Sequence, residues 1–223
     1  EWWESGGNGY GYTYGFISRS ASNSFRFYNS NTFTTSDTNM LISPHIIGLD
    51  SGIKQITFYA YSGTAGSKLK VGTVASQSDG SSFNEIITLD LPNTATWYEF
   101  IVPIDSASIG TTGHDYIAIA HGNALNYQSI YVDDVSIENI PPCPKPVGFS
   151  ASNITSTSAV VSWLSGGSAF NIELGPQGFQ QGTGTFYYPN QSADTLTGLF
   201  SNTYYDVYIQ NNCLSAGNGS SVW

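Results

Sequence analysis

Short segments in which apolar and polar residues alternate recur along this chain, and turn residues separate them. In residues 53–61, Ile56, Phe58 and Ala60 alternate with glutamine, threonine and tyrosine. Successive side chains of a strand point to opposite faces, so this pattern predicts a strand whose buried face carries those three residues. The breaks contain Ser-Gly, Asp-Gly, Pro-Asn and Gly-Asn pairs, which supply turn geometry. We therefore predict an all-β chain.

The composition also favours strands over helices. Charged residues make up 10% of the chain and hydrophobic residues 40%. Exposed helix faces usually carry Lys, Glu and Arg, whereas Ser, Thr, Asn and Tyr suit exposed strands and turns. The hydrophobic fraction is sufficient for a core, which argues against a disordered chain. No apolar run approaches the roughly 20 residues that a membrane-spanning helix needs, so no membrane span is predicted.

The predicted strands form two groups on either side of a proline-rich segment, residues 141–146. Proline cannot continue a sheet ladder, so this segment predicts a short, stiff linker between domains 1–140 and 147–223. The first group suits a two-sheet jelly roll: it comprises 25–29, 39–47, 53–61, 67–75, 84–91, 96–104, 115–121 and 129–138. The second group comprises 147–154, 158–164, 169–174, 194–199 and 203–211.

The charge balance limits the partners of the chain. Six basic and sixteen acidic residues give a net charge of −10. So few basic residues cannot neutralise a run of phosphates, which excludes nucleic acid and anionic membranes as expected partners. A cation, a neutral polymer or another protein fits this charge better, although an acidic surface also simply keeps a protein soluble.

The two cysteines, Cys143 and Cys213, both lie in the last third of the chain. Two cysteines can form a disulfide, remain as free thiols or provide half of a metal site. There is no CxxC pair and no nearby histidine to complete a metal site. We expect an oxidised pair in an exported protein, which closes a loop of about 70 residues.

The C-terminal segment contains a sequence typical of one β-sandwich family. The run LFSNTYYDVYI, residues 199–209, resembles the corner between strands E and F of fibronectin type III domains, and Trp163 matches their strand-B tryptophan. The resemblance implies an immunoglobulin-like β-sandwich over 143–223, with the hydroxyl of Tyr205 bonded back to the preceding loop. Residues 170–185 look like the version of this domain found in large secreted bacterial proteins, which also carries cysteines at positions 143 and 213.

Two segments of the N-terminal part resemble another family. Residues 39–44, NMLISP, and residues 131–137, YVDDVSI, are similar to two strands of the MAM and cleaved-adhesin (choice-of-anchor J) jelly rolls. The resemblance covers residues 1–140. The predicted fold class is therefore all-β, with a jelly-roll-like sandwich followed by an immunoglobulin-like (fibronectin type III) sandwich.

Asp133 and Asp134 form the most distinctive pair of acidic residues. Neighbouring strand residues face opposite ways, so the two carboxylates are predicted not to share one site through their side chains. Related jelly rolls bind a structural Ca²⁺ at this position, together with backbone carbonyls and an N-terminal carboxylate. The resemblance therefore implies a Ca²⁺ site with Asp133, Asp134 and Glu4 as ligands, Asp133 foremost. The alternative is a hydrogen-bonded aspartate at a sheet edge.

Aromatic residues near the N-terminus provide candidate ligand contacts. In residues 8–16 the side chains of Tyr10, Tyr12 and Tyr14 alternate with small residues, so a strand here would place them on one face. An exposed tyrosine face can stack on sugar rings, and Trp97 is a similar candidate. The alternative is that these rings belong to the core or pin a glycine-rich loop.

No motif indicates catalysis. The chain has no nucleophile turn and no oxyanion-hole loop, and His114 and His121 are predicted to lie on opposite faces of a strand. We therefore expect a non-catalytic, secreted or cell-surface binding module, a fragment of a larger protein and a monomer. Its expected ligand is a polysaccharide. The alternatives are adhesion to another extracellular protein and a structural spacer.

Overall fold

A computed structural model of the 223-residue chain describes residues 2–5, 9–20, 22–29, 39–91, 95–104, 109, 113–122, 127–165 and 167–223, and only the backbone of residues 3, 5, 9 and 10. The predicted all-β fold class is confirmed, because antiparallel strands form four sheets. The chain divides into two compact units, Glu1–Ile140 and Pro141–Trp223. Among the described residues, no helix has the length and apolar character that a membrane crossing requires.

The first unit contains two five-stranded sheets. Its strands are β1 (Trp3–Ser5), β2 (Gly9–Tyr14), β3 (Ser24–Asn29), β4 (Met40–Ile42), β5 (Lys54–Tyr61), β6 (Lys68–Val74), β7 (Asn84–Asp90), β8 (Tyr98–Ile104), β9 (Tyr116–His121) and β10 (Ser129–Asn139). One sheet has the order β1-β4-β9-β6-β7 and the other the order β2-β3-β10-β5-β8. Every strand pair is antiparallel, as in a jelly-roll-like sandwich.

The inner faces of the two sheets form one apolar core. In β5 the predicted inward set, Ile56, Phe58 and Ala60, is buried, as the alternating pattern required. Residues from both sheets contribute to the same cluster, among them Phe27, Leu69, Val71, Ile117, Ile119, Ile130 and Val132. Because this period-two alternation fixes the inner face, the side chains between these residues point outward, away from the core.

Two differences from the predicted strands have local causes. Residues 39–47 were expected to form one strand, but β4 ends at Ile42. Pro44 follows two residues later, and it has no N–H for a ladder. The short strands β1 and β14 (Thr185–Tyr187) were not predicted, because three residues are too few to show alternation.

The second unit is a smaller sandwich of two three-stranded sheets. Its strands are β11 (Val147–Ser152), β12 (Ser158–Leu164), β13 (Phe170–Pro176), β14 (Thr185–Tyr187), β15 (Ala193–Thr197) and β16 (Tyr205–Asn211), in the orders β11-β12-β15 and β14-β13-β16. The ring of Trp163 is buried against Phe170, with ring centroids 5.0 Å apart. The resemblance to fibronectin type III domains stays a prediction.

A disulfide joins Cys143 to Cys213 across a sequence separation of 70 residues. The side-chain amide of Asn211, at the end of β16, also donates a hydrogen bond to the carbonyl of Pro144 at 2.5 Å. The proline-rich segment is therefore attached covalently and by a hydrogen bond to the second unit.

The loop before β16 is held by a tyrosine hydroxyl. The backbone N–H of Phe200 donates a hydrogen bond to the hydroxyl oxygen of Tyr205 at 2.9 Å, the contact that the resemblance implied for this residue. We expect Tyr205→Phe to lower the free energy of unfolding of the second unit by about 1 kcal/mol, because it removes one acceptor and keeps the ring. Chemical denaturation measures this change, with Tyr204→Phe, at a mostly exposed neighbouring ring, as the control. Equal stability of the two variants would contradict the assigned role.

Candidate functional site

Aromatic side chains cluster on part of the outward face of the β2-β3-β10-β5-β8 sheet. Strand register places Tyr12 opposite Arg26, Arg26 opposite Tyr131, and Tyr131 opposite Tyr61. Trp97 directly precedes β8 and packs against Tyr61, which extends this row to the last strand. The row crosses five strands, or about 19 Å at the usual strand spacing. We call this surface the aromatic face; it comprises Tyr12, Tyr14, Arg26, Tyr28, Tyr59, Tyr61, Trp97 and Tyr131.

The rings of the aromatic face touch one another in a continuous series. Ring centroids are 5.6 Å apart between Trp97 and Tyr61, 5.8 Å between Tyr61 and Tyr131, and 5.5 Å between Tyr131 and Tyr14. The ring of Phe16 continues the series 5.5 Å beyond Tyr14. Such edge-to-face and tilted contacts stabilise each ring orientation. The face is therefore an ordered surface rather than a set of independent side chains.

Exposure differs along this series. Tyr131, in the centre, is only 7% exposed, whereas Tyr12 is 40% exposed and Trp97 and Tyr61 are half-buried. Burial raises the pKa of the Tyr131 phenol, while the nearby charge of Arg26 opposes this shift. The central phenol therefore stays neutral, and the rings around it present both apolar and hydroxyl surface.

Arg26 lies among four tyrosine rings. Its guanidinium carbon is 4.8 Å from the ring centroid of Tyr28, 5.1 Å from that of Tyr14, and 5.5 Å and 5.8 Å from those of Tyr12 and Tyr131. These distances allow cation–π attraction to each ring. The guanidinium also donates two hydrogen bonds to the hydroxyl of Ser129, at 3.1 and 2.7 Å, and one to the hydroxyl of Tyr12.

Asp133 and Asp134 lie on this sheet beside the aromatic face, and a β-bulge changes their predicted geometry. The register between β10 and β5 shifts between Asp133 and Ser136, and Asp134 has a left-handed backbone with φ of 50°. Both carboxylates consequently contact the same segment, Arg19 and Ser20. The prediction that the two side chains face opposite ways was wrong, because the strand is not regular at this point.

The two carboxylates have different surroundings. Asp133 is buried; its Oδ2 accepts the backbone N–H groups of Arg19 at 2.7 Å and Ser20 at 3.3 Å, and its Oδ1 accepts that of Asp134 at 2.8 Å. Asp134 accepts a hydrogen bond from the Ser20 hydroxyl and pairs with the Arg19 guanidinium at 2.5 Å. The Ser20 hydroxyl and then Arg19 hold the pKa of Asp134 below its usual value, against the opposing effect of burial.

The residues predicted to bind Ca²⁺ do not form a cation cage among the described residues. The oxygens of Asp133 and Asp134 accept hydrogen bonds from backbone N–H groups, the Ser20 hydroxyl and the Arg19 guanidinium. Glu4 accepts the backbone N–H of Gly11 at 2.6 Å, on the side of β2 that faces away from Tyr12. Within the described ranges, no three His, Cys, Asp or Glu side chains are grouped to hold a metal ion. The Ca²⁺ site stays a prediction that these contacts do not favour.

Three of the four predicted ligand-contacting residues lie on the aromatic face. Tyr12 and Tyr14 are at one side of the sheet and Trp97 is at the other, joined by rings that were not singled out. The side chain of Tyr10 lies outside the described residues. Sequence reasoning missed Arg26, Tyr61 and Tyr131 as site residues. Their outward positions follow from alternation in β3, β5 and β10, but their proximity depends on register between distant strands.

No protein-family model and no curated protein sequence matches this chain. Among solved structures, it is similar to the K1 cleaved adhesin domain of Lys-gingipain from Porphyromonas gingivalis W83, with TM-score 0.48 and 17% identity over 62% of this chain and 90% of that one. It is also similar to TmCBM61 in complex with β-1,4-galactotriose, with TM-score 0.39 and 16% identity over 62% of this chain and 88% of that one.

A third similar structure is the glycoside hydrolase domain of Endo-D from Streptococcus pneumoniae R6. Its TM-score is 0.40 at 13% identity, over 93% of this chain and 37% of that one. TM-scores below 0.5 at these identities are too low to assign a ligand or an activity to this chain. The aromatic face itself is therefore the feature that indicates a function for this chain.

Proposed function

We propose that this chain is a non-catalytic, extracellular binding module whose aromatic face holds a polysaccharide. The observation that carries the proposal is the continuous series of rings from Trp97 to Phe16 across one outward sheet face. Aromatic rings offer flat apolar surface to sugar rings, and tyrosine hydroxyls add hydrogen-bonding groups at the same place. A row that crosses five strands suits an extended polymer better than a compact small molecule.

The backbone beneath the face makes this surface suitable for binding. The side chains project from paired strands rather than from loops, so few degrees of freedom are lost when a ligand binds. The backbone N–H of Arg19 donates a hydrogen bond to Asp133. The guanidinium carbon of Arg19 lies 3.5 Å from the ring centroid of Tyr59. The surface is therefore largely pre-organised.

Two further observations support an extracellular location and a non-catalytic role for this chain. The Cys143–Cys213 disulfide fits an oxidising compartment, in which secreted proteins fold. The carboxylates of Asp133 and Asp134 beside the face accept hydrogen bonds from Arg19 and Ser20, which leaves them poorly placed for acid–base chemistry on a sugar.

We expect Trp97→Ala to weaken binding of a retained polysaccharide on the order of tenfold, because it removes the ring at one edge of the face. Affinity gel electrophoresis against a panel of soluble neutral and acidic polysaccharides provides the measurement. Tyr188→Ala is the matched control, since this ring of the second unit is 73% exposed and lies outside the aromatic face.

Two results would count against polysaccharide binding at this face. One is failure of the wild-type protein to be retarded by any polymer in the panel. The other is equal loss of binding in the Trp97→Ala and Tyr188→Ala variants. Either result would favour the alternative of adhesion to another extracellular protein.

A further inference from the structure

Arg26 and Lys54 are the two described basic residues of the first unit that no salt bridge joins to a carboxylate, and Lys54 donates instead to the side-chain oxygen of Asn139 at 2.7 Å. Arg19 pairs with Asp134, Lys68 with Asp90 and Lys70 with Glu85. Within the described part of the chain, no salt bridge joins Arg26 to a carboxylate. Its neighbours are tyrosine rings and two hydroxyl groups. In a chain with sixteen acidic and six basic residues, a half-buried arginine without a carboxylate partner needs an explanation.

The guanidinium retains donors for a ligand. An arginine side chain has five N–H groups, and the hydrogen bonds to Ser129 and Tyr12 engage three of them. The surrounding rings fix its position and reduce its contact with water, which strengthens an interaction with an anion. A carboxylate is a planar acceptor that matches the guanidinium fork. Arg26 thus has the charge, the free donors and the fixed position of an anion-recognition group.

We propose that Arg26 binds a carboxylate of the ligand, so that the polysaccharide held by the aromatic face contains uronic acid. This inference rests on the proposed function and specifies its substrate class. The net charge of −10 repels a densely charged polyanion, so a polymer in which uronic acid is spaced by neutral sugars fits best. The neutral sugars then contact the rings of Trp97, Tyr61 and Tyr12.

The test compares glucuronoxylan with the same preparation after its carboxylates have been reduced to alcohols. We expect the wild-type protein to bind the acidic form on the order of tenfold more tightly, as a charge-assisted hydrogen bond would give. Arg26→Gln should abolish this preference, so that the acidic and the reduced forms bind with equal affinity. Arg26→Lys should keep part of the preference, because it retains the charge without the fork. A comparison of the affinities for dextran sulfate and for dextran tests whether Arg26 binds a sulfate ester in place of a carboxylate.

The outcomes separate this inference from the proposed function. If the wild-type protein binds both forms of glucuronoxylan equally and Trp97→Ala weakens binding of both, the aromatic face binds sugar but Arg26 does not bind a carboxylate of the ligand. A larger increase in affinity from sulfate groups than from carboxylates, each relative to the neutral polymer, would also overturn the uronic acid assignment. If Arg26→Gln weakens both forms equally at an unchanged unfolding midpoint, Arg26 only orders the tyrosines. Binding of no polymer, with or without charge, would overturn the proposed function as well.

Discussion

The double variant Cys143→Ser/Cys213→Ser is expected to lose about 4 kcal/mol of unfolding free energy in its second unit. The bond closes a loop with a sequence separation of 70 residues, and a cross-link of that length removes much of the conformational entropy of the unfolded chain. In the described part of the second unit, six buried apolar residues form the centre of a small core between two three-stranded sheets, so this loss is a large part of its stability. Chemical denaturation of the oxidised protein and the variant measures the difference.

The first unit provides an internal control for this experiment. It contains neither cysteine, and its unfolding transition should not move in the double variant. Wild-type protein treated with a reductant should reproduce the behaviour of the variant. A change below about 1 kcal/mol in the second unit would show that the disulfide does not stabilise it by restricting the unfolded chain.

We expect Asp133→Ala to lower the unfolding free energy of the first unit by about 3 kcal/mol and to weaken polysaccharide binding. The variant removes a buried carboxylate that accepts three backbone N–H groups, and charged acceptors contribute more than neutral ones. It also releases the segment that holds Arg19 over Tyr59 at the aromatic face. Denaturation and affinity gels measure the two effects separately.

Asp134→Asn is the matched control for this prediction. Asp134 is the adjacent carboxylate, its side chain is 28% exposed, and its pairing with Arg19 is that of a surface ion pair. Asparagine tolerates the left-handed backbone at this position, so the change should cost at most about 1 kcal/mol. An equal loss of unfolding free energy in the two variants would show that the greater burial of Asp133 does not make it the more stabilising carboxylate.

The strands of the core could be predicted because burial imposes a simple periodicity. The set Ile56, Phe58 and Ala60 faces the core as expected, and each boundary of β5, β6 and β10 lies within one residue of its predicted position. The same alternation implied that Tyr59 and Tyr61 point outward. Local pattern therefore predicts which face a residue occupies.

The composition of the aromatic face could not be predicted in the same way. Arg26 and Tyr131 are far apart in sequence and become neighbours only because β3 pairs with β10 in one particular register. Register between distant strands depends on the packing of the whole sandwich. Sequence reasoning therefore found the two ends of the face, Tyr12 with Tyr14 and Trp97, and missed the arginine between them.

The carboxylate pair shows a second limit of local pattern. Regular alternation separated Asp133 from Asp134, but a single extra residue in β10 brings both to the Arg19–Ser20 segment. A bulge has no signature as strong as alternation, although aspartate is one of the few residues that accept a left-handed backbone. The resemblance to metal-binding jelly rolls implied a cation beside this pair; the guanidinium of Arg19 contacts Asp134, and the Ca²⁺ site stays a prediction.

The disulfide also determines how the second unit carries mechanical load. Cys143 lies near one end of this unit and Cys213 near the other end of its chain. A tension applied between residues 141 and 223 therefore passes through the covalent bond and bypasses the β-sandwich between them. That shielded segment would add roughly 240 Å of contour length if it were extended. Under oxidising conditions only the short segments outside the Cys143–Cys213 loop can extend, and reduction of this one bond exposes the sheets of the second unit to force.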